Sequence, residues 1–387
     1  MKAWPQSSLS SLFDDWIVYR SLTPLDKRVP GLQETWRELG LRSNRTPRKA
    51  KDPEYVRVIL QFLERIQAAR GHPPLQRLIY LGNRQSRDQA TLAHLEQHCR
   101  WSLATWLCEE DADIPNRSNA RGPHMLSNRW EGILDFAAFL AGQGFSLNAQ
   151  TAIVVDMDKT IIAARGRNSD ALNHARVEGV KQMVKATLGD SFEEPRFQAV
   201  YYELNQPKYH FFTEDNQDYV TYIALMASAL VYPIEDLLED VAYGQVNSFG
   251  GILEIVERRL AKMPQPGLQA LHEEVWTHFL LGDPTVFKSF RGKQYESILA
   301  HINPACQTAL DEETLLKTEI VITREVFDFL QLARERGTLL FLISDRPDET
   351  LIPDAALAQQ GYQPIHRLPI KIVGKPVYAR LAQMNLP

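Results

Sequence analysis

Short aliphatic runs alternate with amphipathic stretches of helical period, and this alternation constrains the chain more than any other feature. Val56, Ile59, Leu60, Leu63 and Ile66 recur at three- and four-residue steps, a helical pattern that ends at Gly71. "RLIYLGN" then reads as a buried strand over Leu78 to Leu81, "SRDQATLAHLEQHC" as a helix and "WSLATWLCEED" as a second strand. The polar stretch 111–128 reads as a loop, and "RWEGILDFAAFLAGQGF" as a helix stopped by Gly142 and Gly144. The aliphatic strand of "AIVVDMDKTI" follows. Near the C-terminus the pattern returns: the helix "TREVFDFLQLARERG", the β-rich "TLLFLISDRPDE", a short helix, and "IKIVGKPVYARLAQMN" as strand, turn and last helix. Strands and helices in alternation predict a parallel sheet covered by helices.

The middle of the chain breaks this rhythm. From about Gly166 to Pro304 it is largely helical, with an aromatic-rich segment "FQAVYYELNQPKYHFF" whose rings and His210 are expected in a core. The expected organisation is an irregular segment 1–53, an α/β core from 54–165 and 305–387, and a helical domain 166–304 inserted where it could cover the aspartate turn. The basic, proline-broken stretch "RSNRTPRKAKDP" within the first segment reads as a solvated loop, with a phosphate-steering arm as the sharper alternative.

Composition narrows the class of protein. The 387 residues carry a formal net charge of −5, which exerts no global pull toward nucleic acid or anionic membrane. Three cysteines without CxxC spacing suit a reducing cytoplasm and argue against a disulfide framework or a zinc site. No window reaches the roughly eighteen apolar residues of a membrane span, and the N-terminus has no apolar run of signal-peptide length. A soluble cytoplasmic protein with no membrane partner is the expectation.

Ligands of open parallel sheets bind at the carboxyl ends of the strands. Asp156 and Asp158 stand at such an end. A lone carboxylate there could simply cap a turn, but two separated by one residue can divide labour between nucleophile and proton shuttle. A second strand end, "LISDR", offers the Ser344 hydroxyl to a phosphoryl oxygen. A third, "VGKPVY", offers the Lys375 ammonium to offset negative charge. Lys371 is expected at a solvated or edge position, Thr160 and Arg346 in turn roles.

"VVDMDKT", "FLISDR" and "GKPVYARLAQMN", in that order, resemble the first three motifs of the haloacid dehalogenase (HAD) superfamily of aspartate-nucleophile phosphohydrolases. The resemblance implies a HAD-like Rossmannoid parallel sheet flanked by helices, with a large helical cap inserted after the first motif strand. It makes Asp156 the nucleophile and Asp158 the acid–base. Ser344 and Thr160 would contact substrate, Lys375 would steady the charge, and Mg²⁺ would be the cofactor. The implied substrate is a small phosphorylated metabolite; an acid at position 158 speaks against a dehalogenase.

The family's fourth motif, an acidic turn after a strand downstream of the lysine, has no room before Pro387. "LIYLGNRQSRD" offers a substitute at the other end of the chain, with Asn83 in place of the first acid and Asp88 at the longer spacing. Two accounts follow. Either the core is circularly permuted, with residues 54–150 supplying the missing strands and Asn83 and Asp88 joining Asp156 and Asp158 around the metal, or these residues form a separate α/β unit. An amide brings oxygen but no charge to Mg²⁺, so affinity should fall below that of an acid. A HAD-scaffold binding or regulatory protein with little turnover is therefore the competing functional class. A nucleic-acid end-processing phosphatase steered by the basic stretch is a third.

Overall fold

The alternating runs form a seven-stranded sheet in a computed structural model that describes residues 2–41, 46–49, 52–83, 85–189, 193–262, 265–305 and 307–384; the side chains of residues 2, 85–89 and 307 also lie outside the description. In chain order the strands are β1 (Ile17–Val18), β2 (Arg77–Gly82), β3 (Ser102–Cys108), β4 (Ser118–Arg121), β5 (His124–Ser127), β6 (Thr151–Asp156) and β7 (Leu339–Ile343). Across the sheet they lie in the order β1, β7, β6, β2, β3, β5, β4, and every neighbouring pair is parallel except β4 on β5.

The central strands are aliphatic throughout because helices cover both faces. Leu78, Tyr80, Ala152, Val154, Leu339 and Phe341 pack against α1 (Pro53–Ala69) and α2 (Gln85–His98) through Val56, Ile59, Phe62, Leu63, Leu92 and Leu95. The alternate residues face the other layer, formed by α3 (Ile133–Gly142) and α4 (Arg324–Glu335). There Trp106 of β3 stacks on Phe136, which in turn meets Phe329 of α4, each pair with ring centroids 6.2 Å apart. Leu78, Ile79, Leu81, Ile153, Val154 and Val155 of β2 and β6 are fully or nearly fully buried and would each contribute roughly 1.5–3 kcal/mol of burial.

The two helical layers divide the connections between strands. From β2 the chain passes through α2 to β3, moving toward one edge on the first face. β7 is reached through α4 on the opposite face and lies toward the other edge. The direction of winding thus reverses between the adjacent strands β6 and β2. Such a reversal opens a crevice at the carboxyl ends of the two strands, the usual ligand site of a doubly wound sheet.

The chain divides into two compact units, residues 1–174 with 298–387, and 175–297. The second is all-helical with its own core, in which Tyr219 stacks on Phe249 at 3.7 Å and the buried Asp218 accepts from Arg291 at 2.5 Å. Its limits fall inside the helices Ser169–Leu188 and Lys288–His301, about two helical turns within each end of the expected 166–304. No helix among the described residues is long and apolar enough to cross a membrane.

Several expectations change. The first 53 residues carry the helices Leu9–Phe13 and Leu32–Leu39 and the edge strand β1; Leu32, Trp36 and Leu39 recur at helical steps, whereas the two-residue β1 is too short to show a period. The polar stretch 111–128 holds the β4–β5 hairpin, whose outer strand is mostly exposed and so needs no apolar residues. Ile370–Val373 lies outside the main sheet, between Ile322–Thr323 and Gln6–Ser7. Lys371 in that strand is buried, not solvated, and bonds Glu319 at 2.5 Å and the Asn303 carbonyl at 2.8 Å.

Two features yield stability tests. Gly166 has φ +78°, and a Cβ there would stand 1.9 Å from the Glu110 carbonyl oxygen, whereas Gly144 at φ +72° has open space around it. Gly144→Ala should cost about 1 kcal/mol from backbone strain alone, and Gly166→Ala more than about 2 kcal/mol, read from denaturant midpoints. At the end of β1, the Tyr19 hydroxyl lies 2.7 Å from Nδ1 of the buried His366, and burial lowers that imidazole to about 4. A histidine kept neutral in the fold takes up its proton only on unfolding. Its stabilising contribution is therefore present above about pH 6.5 and is lost as pH falls toward 4, by up to about 1.4 kcal/mol per pH unit. His366→Gln should flatten that part of the stability–pH curve relative to wild type.

Candidate active site at the carboxyl edge of the sheet

Asp156 is the last residue of β6, held in register by β7 on one side and flanked by β2 on the other. It is only 6% exposed. One carboxylate oxygen, Oδ1, accepts from the Lys49 ammonium at 2.8 Å, and Oδ2 accepts from the Asn83 amide at 2.7 Å. Asn83 follows directly on β2, so the winding reversal brings it to Asp156. Its Nδ2 also reaches the Asp158 carbonyl oxygen at 2.8 Å and Thr160 Oγ1 at 3.0 Å. Because a carboxylate and a carbonyl can only accept, these partners fix the amide with its nitrogen toward the aspartates.

The turn after Asp156 is tight. Lys159 and Ala163 adopt left-handed backbone (φ +59° and +56°), and the Ile162 amide closes on the Met157 carbonyl at 3.0 Å. Such positions cost free energy in residues other than glycine and persist only where the surroundings hold them. Here Thr323 does so, bonding the Thr160 carbonyl through its hydroxyl at 2.6 Å and the Ile161 carbonyl through its amide at 2.9 Å.

Ser344 follows β7, and its amide continues the ladder to the Val18 carbonyl at 3.0 Å. Its hydroxyl donates to Asp158 Oδ2 at 3.2 Å and accepts from the Arg346 amide at 3.1 Å. The buried Arg346 guanidinium stands 3.2 Å from Asp158 Oδ1. Among the described residues, Asp156 and Asp158 thus meet Lys49 and Arg346 at the strand ends, Asp156 through hydrogen bonds to both oxygens and Asp158 Oδ1 through an ion-pair contact. Burying such charges is tolerable only with partners of this kind.

Lys49 is the residue that the sequence reading missed. It lies in the stretch expected to be solvated, yet is 7% exposed, with its ammonium 5.7 Å from the Tyr80 ring and its carbonyl bonded by the Thr91 hydroxyl at 3.0 Å. The signal was available: "KAKDPEY" places a lysine four residues ahead of a proline that starts a helix. Lys375 is placed differently. Its ammonium bonds Glu131 at 2.7 Å and is 67% exposed. Asp156, Asp158, Thr160, Asn83 and Ser344 come together; the side chain of Asp88, on α2, lies outside the described residues.

A divalent cation finds a poor fit in this arrangement. The Asn83 amide turns N–H hydrogens, not an oxygen lone pair, toward Asp156 Oδ2 and the Asp158 carbonyl. Among the described residues no three His, Cys, Asp or Glu side chains converge as a metal site. No family model, no curated protein and no solved structure matches this chain.

Removing one partner of the buried pair should reveal its weight. Lys49→Met leaves the Asp156 carboxylate without its ammonium and should destabilise the chain by about 3 kcal/mol or more, whereas Lys375→Met at the exposed Glu131 pair should change stability by less than about 1 kcal/mol. Chemical denaturation of both variants beside wild type makes the comparison.

Proposed function

We propose that this chain is a phosphohydrolase of the HAD type, acting on a small phosphomonoester through an aspartyl-phosphate. The observation that carries the reading is the meeting of Asp156, Asp158, Ser344, Asn83 and Lys49 in the crevice where the sheet reverses its winding. In this reading Asp156 attacks phosphorus in line, forming a carboxylate oxygen–phosphorus bond as the bond to the alkoxide breaks. Asp158 gives the alkoxide its proton. Water then attacks the phosphorus, loses its proton to Asp158 and releases phosphate and free Asp156. Lys49 offsets the charge that gathers on the phosphoryl oxygens, and the hydroxyls of Ser344 and Thr160 donate to them. Most of the rate would come from positioning and charge compensation, as in phosphoryl transfer generally.

The order Lys49, helix α1, strand β2, Gly82–Asn83 matches the order of the third and fourth motifs of the family. It precedes the first motif here instead of following the second. Pairing of β2 directly on β6 supports a circularly permuted HAD-like Rossmannoid core and disfavours a separate N-terminal unit. The lysine role then passes from Lys375 to Lys49, and the helical unit 175–297 takes the part of the cap that sets substrate choice.

The competing reading, a binding or regulatory protein on this scaffold, draws on Asn83 standing where the family has a metal-binding acid. A panel of phosphomonoesters separates the two. Wild type should release phosphate, and Asp156→Asn should lose about three orders of magnitude or more in kcat/KM. If wild type is as inert as Asp156→Asn across the panel, the enzyme reading fails and the binding reading stands.

A further inference from the structure

The HAD resemblance brings with it a Mg²⁺ ion between the nucleophile, the turn and the fourth-motif acid. The geometry points to a different device: we infer that Asn83 and Lys49 close this site by hydrogen bonding, so that the paired aspartates are held and charge-balanced without a divalent cation.

Three observations carry this. First, the charges of Asp156 and Asp158 are matched by Lys49 and Arg346, with contacts of 2.8 and 3.2 Å. A divalent cation at either carboxylate would stand beside an ammonium or guanidinium already in contact with it. Second, the hydrogens of Asn83 Nδ2 point at Asp156 Oδ2 and the Asp158 carbonyl oxygen, two oxygens that a cation linking strand and turn would need. An N–H group offers a metal no lone pair. Third, reversing the amide does not come free. With Oδ1 at the same place, oxygen would face oxygen at 2.7 and 2.8 Å, and Thr160 would have to turn its own hydroxyl proton round. An aspartate at position 83 would have the opposite preference: three oxygens crowded together, repelling one another until a cation enters.

The inference concerns the same aspartates as the proposed reaction but does not rest on turnover. Its test is metal binding by the full-length chain. Wild type titrated with Mn²⁺ by electron paramagnetic resonance should show no site that depends on Asp156, and Mg²⁺ at about 10 mM should leave its unfolding midpoint unchanged. Asn83→Asp in chelator should unfold at lower temperature, recover with Mg²⁺, and bind Mn²⁺ at least about tenfold more tightly than wild type. Mn²⁺ binding by wild type that disappears in Asp156→Asn overturns the inference. No binding, or binding that survives in Asp156→Asn, upholds it. Should Asn83→Asp fail to fold, the wild-type and Asp156→Asn titrations decide alone. An inert enzyme in the phosphomonoester panel removes the phosphatase reading and leaves this result standing; metal binding at Asp156 does the reverse.

Discussion

A carboxylate at the closed end of a parallel sheet is tolerable only if something cationic comes in with it, and the contact between Lys49 and Asp156 meets that condition here. Neither partner is more than a tenth exposed. Around this pair the rest of the site falls into place: Tyr80 and Thr91 hold Lys49, Asn83 takes the second oxygen of Asp156, and the strained turn brings Asp158 within reach of Ser344 and Arg346. Replacing such a pair by apolar side chains would often be neutral or even stabilising. The chain nonetheless keeps it at the winding reversal, as it keeps the buried pairs Lys371–Glu319 and Arg291–Asp218 elsewhere.

The centre of the sheet was legible because its strands are mostly apolar and separated by helices of clear period. Asp156 and Asp158 were legible for a related reason, since two acids directly after "AIVV" contradict the pattern they interrupt. Asn83 could be found because it stands with Gly82 directly after the aliphatic run "RLIYL", where a polar residue breaks the pattern. The edges of the fold were hidden. β1 is two residues long, and β4 and β5 are short and partly polar, so neither periodicity nor hydropathy marks them. Lys49 was hidden by composition. Among arginines, lysines and prolines nothing in the sequence marks Lys49 for burial; its contact with Asp156 does.

Lys375 and Lys371 show the limit of reading motifs singly. Each stands near the end of a short strand, as the third motif asks, but that strand pairs with Ile322–Thr323 and Gln6–Ser7 instead of joining the main sheet. Their ammonium groups accordingly meet Glu131 and Glu319. Local sequence specified a strand followed by a helix correctly; which sheet the strand entered was a property of the whole chain.

The edge strand β1 adds a constraint in time. Ile17 and Val18 pair only with Leu342 and Ile343, near the far end of the chain. During synthesis this strand emerges early and waits for almost everything else before it finds its ladder. β2, β3 and β6 can begin to associate much sooner. Contacts so distant in sequence form late because loop closure must precede their reward. The Ser344–Arg346 turn is seated against β1 through the bonds from Ser344 to Val18 and from Arg20 to Arg346. A nascent chain would thus carry its two aspartates, Asn83 and Lys49 long before the serine and arginine that meet Asp158, and that cluster would be complete only when β7 slides between β1 and β6.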